Sequence, residues 1–152
     1  MAGEQIMIRS ARPDDAPAWL RLRNALWPNS FVNHKNEIAA YFEGKQSMPT
    51  QVLIAFAPKD EAIGFVELAI RPHAEGCVTG RVLILEGWYV EPAWRKHGAG
   101  AKLIQAAEAW GREQGCMEFA SASPNDNLAS HKAHRALGFT EVERIVNFRK
   151  AL

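Results

Sequence analysis

Cysteine is nearly absent from this chain: Cys77 and Cys116 are the only two in 152 residues. Two thiols that form no C-x-x-C pair exclude a secreted disulfide framework, and a reduced, cytoplasmic setting is the simpler expectation. Charge of one sign is missing too. Lys and Arg number 18 against 17 Asp and Glu, leaving a formal charge of +1. That balance argues against a nucleic-acid binder working through a broad positive field, and it requires any polycationic ligand to find a local acidic cluster. No apolar run approaches the ~18 residues of a membrane span. The longest block, Val82 to Val90, is broken by Glu86 and Gly87, and Met1 to Arg9 carries no apolar leader core. Repeats and low-complexity tracts are absent. What remains is an ordinary globular composition, 47% apolar and 23% charged. It predicts one domain over residues 1–152, long enough to bury roughly two-thirds of its unfolded surface without staples.

Hydrophobic periodicity and punctuation order the elements. Ile6-Met7-Ile8 reads as a short strand. Pro13-Asp14-Asp15-Ala16-Pro17 carries helix-start chemistry, and Trp19, Leu22 and Leu26 then share one face until Pro28. Asn33 to Phe42 reads as a second helix. Gln51–Ala57 and Ala62–Ile70, joined by Pro58-Lys59-Asp60-Glu61, form an antiparallel hairpin. A loop over Arg71–Gly80 leads to a long strand, Arg81–Val90, interrupted near Glu86-Gly87. Helix Gly98–Gly111, strand Met117–Ser121, helix Leu128–Leu137 and a final strand over Phe139–Arg149 complete the chain. The order β-α-α-β-β-β-α-β-α-β predicts an α/β (α+β) fold with a mixed sheet, antiparallel early and parallel late.

The most informative segment runs from Glu86 to Ile104, a strand entering a basic, glycine-bearing turn that opens a helix. Gly98 and Gly100 let backbone approach an anion, first-turn N–H groups are free to donate to it, and Arg95 and Lys96 add charge. A pyrophosphate suits that chemistry. The dinucleotide fingerprint fails because Leu103 stands where its third glycine belongs, and Gly100-Ala101-Lys102 fails the Walker A spacing.

R-x-x-G-x-G (Arg95, Gly98, Gly100) following V-x-P (Val90, Pro92) resembles the acetyl-CoA motif of the Gcn5-related N-acetyltransferase (GNAT) superfamily. Asn127, Ser130, His134 and Gly138-Phe139 follow a second motif of that family at the spacing it uses. The resemblance implies a GNAT-like single domain, its sheet splayed at a bulge in the fourth strand and flanked by about four helices. Gly87 sits where the bulge is needed. It also implies acetyl-CoA as cofactor, held by Trp88, Tyr89, Val90, Arg95, Lys96, His97, Gly98, Ala99, Gly100, Ala101 and Lys102, with Asn127, Ser130 and His134 beside the pantetheine and thioester.

Leu26-Trp27-Pro28, Leu85-Glu86-Gly87 and Ala120-Ser121 with Asn127 and Ser130 further resemble the aminoglycoside 6′-N-acetyltransferase branch, whose members are commonly dimers. That likeness implies a polycationic aminoglycoside as partner, a role in antibiotic resistance, and a homodimer. An amine like that of lysine has a pKa of ~10.4, so presenting it neutral costs roughly 4 to 5 kcal/mol at pH 7. Glu86, an acid in an otherwise apolar strand, is the candidate base. His134, where many relatives carry tyrosine, is a candidate acid for the leaving thiolate or a packing residue. Backbone N–H groups of Trp88, Tyr89 or Val90 are candidates to stabilise the oxyanion. Trp27 and Asp126 join Glu86 as substrate-binding candidates, with Glu37, Glu67 and Glu75 as further acids of the cleft. Ala122 stands where the branch often carries aspartate, so either Glu86 and Asp126 carry that load alone, or the substrate differs, or the residue was altered. No metal site is expected: His131 and His134 lack a third ligand. Transfer to another amine, or acyl-CoA sensing without turnover, stay open as alternatives.

Overall fold

The computed structural model describes residues 5–29, 33–45 and 48–152. Five strands form one sheet in sequence order: β1 (Met7–Ser10), β2 (Gln51–Phe56), β3 (Ala62–Arg71), β4 (Val82–Val90) and β5 (Glu118–Ser121). β1 to β4 pair antiparallel, β2 to β4 as successive hairpins and β1 to β2 across a helical connection, and β5 joins β4 in parallel. A parallel neighbour needs a crossover, which α3 (Ala99–Glu113) supplies. The helices α1 (Ala16–Leu26), α2 (His34–Phe42) and α4 (Leu128–Ala136) complete the elements.

Two cores form because β2 and β3 are covered on both faces and read as nearly continuous apolar runs. On one face Trp19 and Leu22 of α1 and Ile38 of α2 pack against Val52, Ile54 and Phe65. On the other, Leu103, Ile104 and Ala107 of α3 pack with Leu53, Leu68, Leu83 and Leu85. Among the described residues no helix is long and apolar enough to cross a membrane.

The expected interruption of β4 is present. Glu67 of β3 pairs with Gly87 and Leu68 with Leu85, so Glu86 is the extra residue of a bulge. The β4–β5 ladder ends at the same place, at Leu85 opposite Ser121. Beyond it Gly87 to Val90 keep β3 as neighbour and have lost β5, and this parting is the expected splay.

One expectation fails. Phe139–Arg149 forms no strand: residues 140–152 run exposed and without ladder bonds, and β5 ends the sheet. A strand requires a neighbour to exchange N–H and C=O bonds with, and this segment does not lie along the open edge of β5 within its own chain.

Candidate active site

The glycine-bearing turn meets the requirement for an anion cradle. Gly98 caps α3 with φ +88, a left-handed conformation that side chains resist, and open space surrounds the position where a Cβ would stand. The first helical bond of α3 is donated by Lys102 N–H to Gly98 O. The N–H groups of Ala99, Gly100 and Ala101 precede it and are left for a ligand at the positive end of the helix dipole. Lys96, also at positive φ (68), and His97 are exposed beside them, as is Lys102 one turn on. Arg95 behaves differently. Its Nε donates to Val90 O at 2.8 Å and its guanidinium lies over the Tyr89 ring, so it ties the turn back to the strand end.

At the parted strands, two-residue alternation sorts the backbone donors. Glu91 N–H goes to Ile63 O on β3. Tyr89 N–H then also faces β3, while Trp88 and Val90 turn theirs to the side that β5 has left. These two are the N–H groups placed to meet a carbonyl entering the gap.

Glu86 leaves the bulge toward two clefts. One, of about 920 Å³, is lined by Leu85, Glu86, Ser121 and His134 together with the start of the C-terminal segment. The other, of about 410 Å³, is lined by Trp27, Glu37, Arg71 and Glu86. The Glu86 carboxylate accepts from Arg71 Nη2 at 2.7 and 3.2 Å, a half-exposed ion pair standing between the two spaces. Trp27 reaches this point from the end of α1. Its ring lies over Gly87, where an added Cβ would sit 2.7 Å from Cη2. Gly87 thus serves the bulge by letting an aromatic ring rest on the strand.

Glu67, on the same stretch of sheet, also lines the smaller cleft, but its carboxylate is already engaged. It is 2% exposed and accepts from Arg23 Nε (2.6 Å), Arg23 Nη2 (2.8 Å) and Trp19 Nε1 (2.8 Å). Arg23 also reaches Glu37 at 3.0 Å and His34 at 3.2 Å. Burial alone would lower the Arg23 pKa, but the bonds and charge of Glu67, then Glu37, outweigh it and raise it. Sequence reasoning missed Arg23 and Arg71. The available signal for Arg23 was a guanidinium one residue after Leu22 and four after Trp19, on a helix face that is otherwise apolar.

Asn127 caps α4, its side-chain oxygen accepting from Ser130 N–H at 3.1 Å. His134, one turn along, is fixed at both ring nitrogens. Nδ1 lies 2.7 Å from Ser130 O and Nε2 2.8 Å from Ser121 Oγ, and the ring meets Trp88 and Phe139 edge to face. Asp126 lies in the exposed β5–α4 turn and lines neither cleft, and Glu75 lines the larger one from its rim. Among the described residues no group of three or more His, Cys, Asp or Glu could hold a metal.

A glycine-capped helix start, strands parted beside it and an acid at the parting are the parts of an acyl-CoA transferase site. The acetyltransferase (GNAT) family model matches residues 19–139. The chain belongs to the GNAT family. It is 49% identical over 147 residues to an aminoglycoside N(6′)-acetyltransferase type 1 of Klebsiella aerogenes, covering 96% of this chain and 97% of that one. The enzyme of the same name from Stenotrophomonas maltophilia is 41% identical, with 95% and 93% covered. Among solved structures, the GNAT fold is shared with AAC(6′)-Iy in complex with the bisubstrate analogue CoA-S-monomethyl-acetylneamine. That match has a TM-score of 0.85 and 35% identity, with 97% of this chain and 99% of that one covered. AAC(6′)-Ih from Acinetobacter baumannii gives a TM-score of 0.86 at 34% identity, with 97% and 99% covered.

Proposed function

We propose that this GNAT protein is an acetyl-CoA-dependent aminoglycoside 6′-N-acetyltransferase, acting in the cytoplasm as a homodimer and conferring resistance to aminoglycosides. The observation that carries the reading is the convergence of the α3 start, the parted β4 and β5, and Glu86 at one end of the sheet. Near-full-length relatives named for 6′-acetylation support the choice of acceptor, and the CoA bisubstrate complex of AAC(6′)-Iy supports the donor. Acetyl-CoA supplies an acyl group on a good leaving thiolate. The amides of Ala99 to Ala101, with Lys96 and Lys102 nearby, hold its diphosphate. Trp88 or Val90 N–H receives the developing negative charge on the carbonyl oxygen.

Glu86 holds the incoming ammonium and removes its proton, directly or through water. To do so it exchanges Arg71 for the substrate cation. An ion pair as exposed as this one is worth only about 0–1 kcal/mol, so the exchange is cheap. Trp27 and Glu37 line the adjoining space and suit the apolar faces and the further ammonium groups of an aminoglycoside. Transfer is direct. Cys116 is buried and Cys77 has its thiol pKa raised, first by burial and then by the charge of Glu118, so neither is a poised nucleophile.

A thiol-release assay tests the reading. Kanamycin or tobramycin should be turned over, and an aminoglycoside with hydroxyl in place of the 6′-amine should not. Glu86→Gln should lower kcat by about 100-fold or more with CoA affinity nearly unchanged. Turnover of a polyamine but of no aminoglycoside would overturn the acceptor, and CoA binding without any turnover would reveal a sensor.

A further inference from the structure

His134 is poorly placed to hand a proton to sulfur by itself. Ser130 O is a carbonyl and can only accept, so the neutral ring carries its proton on Nδ1 and offers the Nε2 lone pair to Ser121 Oγ–H. Trp88 and Phe139 close on the ring from its sides. Ser130 Oγ also lies 3.3 Å from Nδ1, on the helix side of the ring, so toward the parted strands the polar neighbour of the imidazole is the Ser121 hydroxyl. Ser121 is also the last β5 residue paired to β4, opposite Leu85 and next to the bulge that bears Glu86. Ser121, Glu86 and His134 all line the same cleft.

We propose that Ser121 is a catalytic residue of this site, a proton relay backed by His134, that moves the second proton of the transfer from the acceptor nitrogen to the leaving sulfur. The inference rests on the acetyl-transfer reading above and assigns a task that reading leaves open. Two protons must move. Glu86 takes the one that makes the ammonium an amine. The other leaves nitrogen as the C–N bond forms, and sulfur must gain one as the C–S bond breaks. Nitrogen and sulfur share one carbon during transfer, so a single hydroxyl can serve both. Ser121 Oγ accepts the proton from nitrogen while passing its own to His134 Nε2. The imidazolium then returns a proton through Ser121 to the thiolate. One N–H is lost, one S–H is gained, and the dyad ends as it began with no outside acid. The 2.8 Å contact fits both states, because a hydroxyl donates to neutral Nε2 and accepts from Nε2–H.

The test compares Ser121→Ala, Ser121→Thr, His134→Gln and the Ser121→Ala/His134→Gln double variant. The readouts are kcat with both substrates saturating, CoA dissociation constants, and ¹⁵N NMR of the histidine ring in the free protein. Ser121→Ala and His134→Gln should each lower kcat by about 10- to 100-fold. The double variant should fall no further than the worse single one, as groups acting as a unit do. Ser121→Thr should retain most activity, CoA affinity should stay within about twofold of wild type in both Ser121 variants, and Ser121→Ala should shift the Nε2 resonance by removing its donor. Wild-type-like kcat in Ser121→Ala, or losses that multiply in the double variant, would overturn the relay. So would weakened CoA binding with kcat intact, which marks a packing role. If Ser121→Ala does not fold, Ser121→Thr and the wild-type Nε2 resonance still decide, since an Nε2–H tautomer contradicts the proposal. A wild-type protein inert toward every amine would instead sink the acetyl-transfer reading beneath it.

Discussion

Glu67 and Glu86 look alike in the sequence, each an acid inside an apolar strand, and the difference between them is a matter of partners. Both line the smaller cleft, but Arg23 and Trp19 give the buried Glu67 carboxylate three bonds, whereas Glu86 has one half-exposed guanidinium. Periodicity shows where an acid interrupts an apolar run. It does not show which cation, some forty residues away, neutralises it. Glu67→Gln leaves buried Arg23 with only the partly exposed Glu37 as counter-ion, so it should cost about 2–4 kcal/mol of stability, read from the denaturant midpoint. Loss of that size with kcat per folded molecule near wild type is the expected result, and loss of kcat at full stability would contradict it. Gly87→Ala tests the opposite kind of residue. Its Cβ would collide with Trp27, so the acceptor KM should rise several-fold while CoA affinity holds. An unchanged acceptor KM would remove Trp27 from the acceptor site.

At the scale of elements, most of the pattern was legible because each segment carries its own signal. Trp19, Leu22 and Leu26 at helical spacing, the turn residues 58–61 and the glycine start of α3 all specify structure locally. The bulge was legible in Gly87, though the extra residue proved to be Glu86. The Ser121–His134 bond was not, because it joins a strand end to a helix thirteen residues on. The same holds for Asp15, which looked like a simple helix-start acid. Its carboxylate fastens β1 to the start of α1, accepting from Arg9 Nη1 (2.7 Å), Arg9 Nη2 (3.1 Å) and Arg12 N–H (2.7 Å). The Arg9 bond, opposed by burial and helped by Arg12, holds its pKa below the usual carboxylate value. A depressed folded pKa stabilises the fold fully above the unfolded value, about 3.9, and that contribution disappears as pH falls through the folded one. Asp15→Asn should therefore be less stable than wild type at pH 7, and the gap should close as the solution is acidified below about pH 4. A gap independent of pH would assign the effect to packing.

For the molecule as a whole, the unformed last strand is the informative miss. The apolar character of residues 139–149 is real, yet Val142, Ile145, Val146 and Phe148 are all turned to solvent, Phe148 at 92% exposure. β5 has a neighbour on one side only. An open edge and an extended apolar segment in one chain are complementary surfaces that the chain does not join to each other. In the homodimer proposed above, a second copy would join them, arm of one along edge of the other, and symmetry would close both edges at once. Strand periodicity puts Val142, Val146 and Phe148 on one face of such an arm. Changing Val146 and Phe148 together to Asp should leave the protomer core intact, since neither packs against it. Sedimentation should then find wild type at the mass of two chains and the double variant at the mass of one. A wild-type protein that stays a single chain at micromolar concentration would refute the exchange. It would also leave the sequence pattern of 139–149 to be satisfied by some other surface.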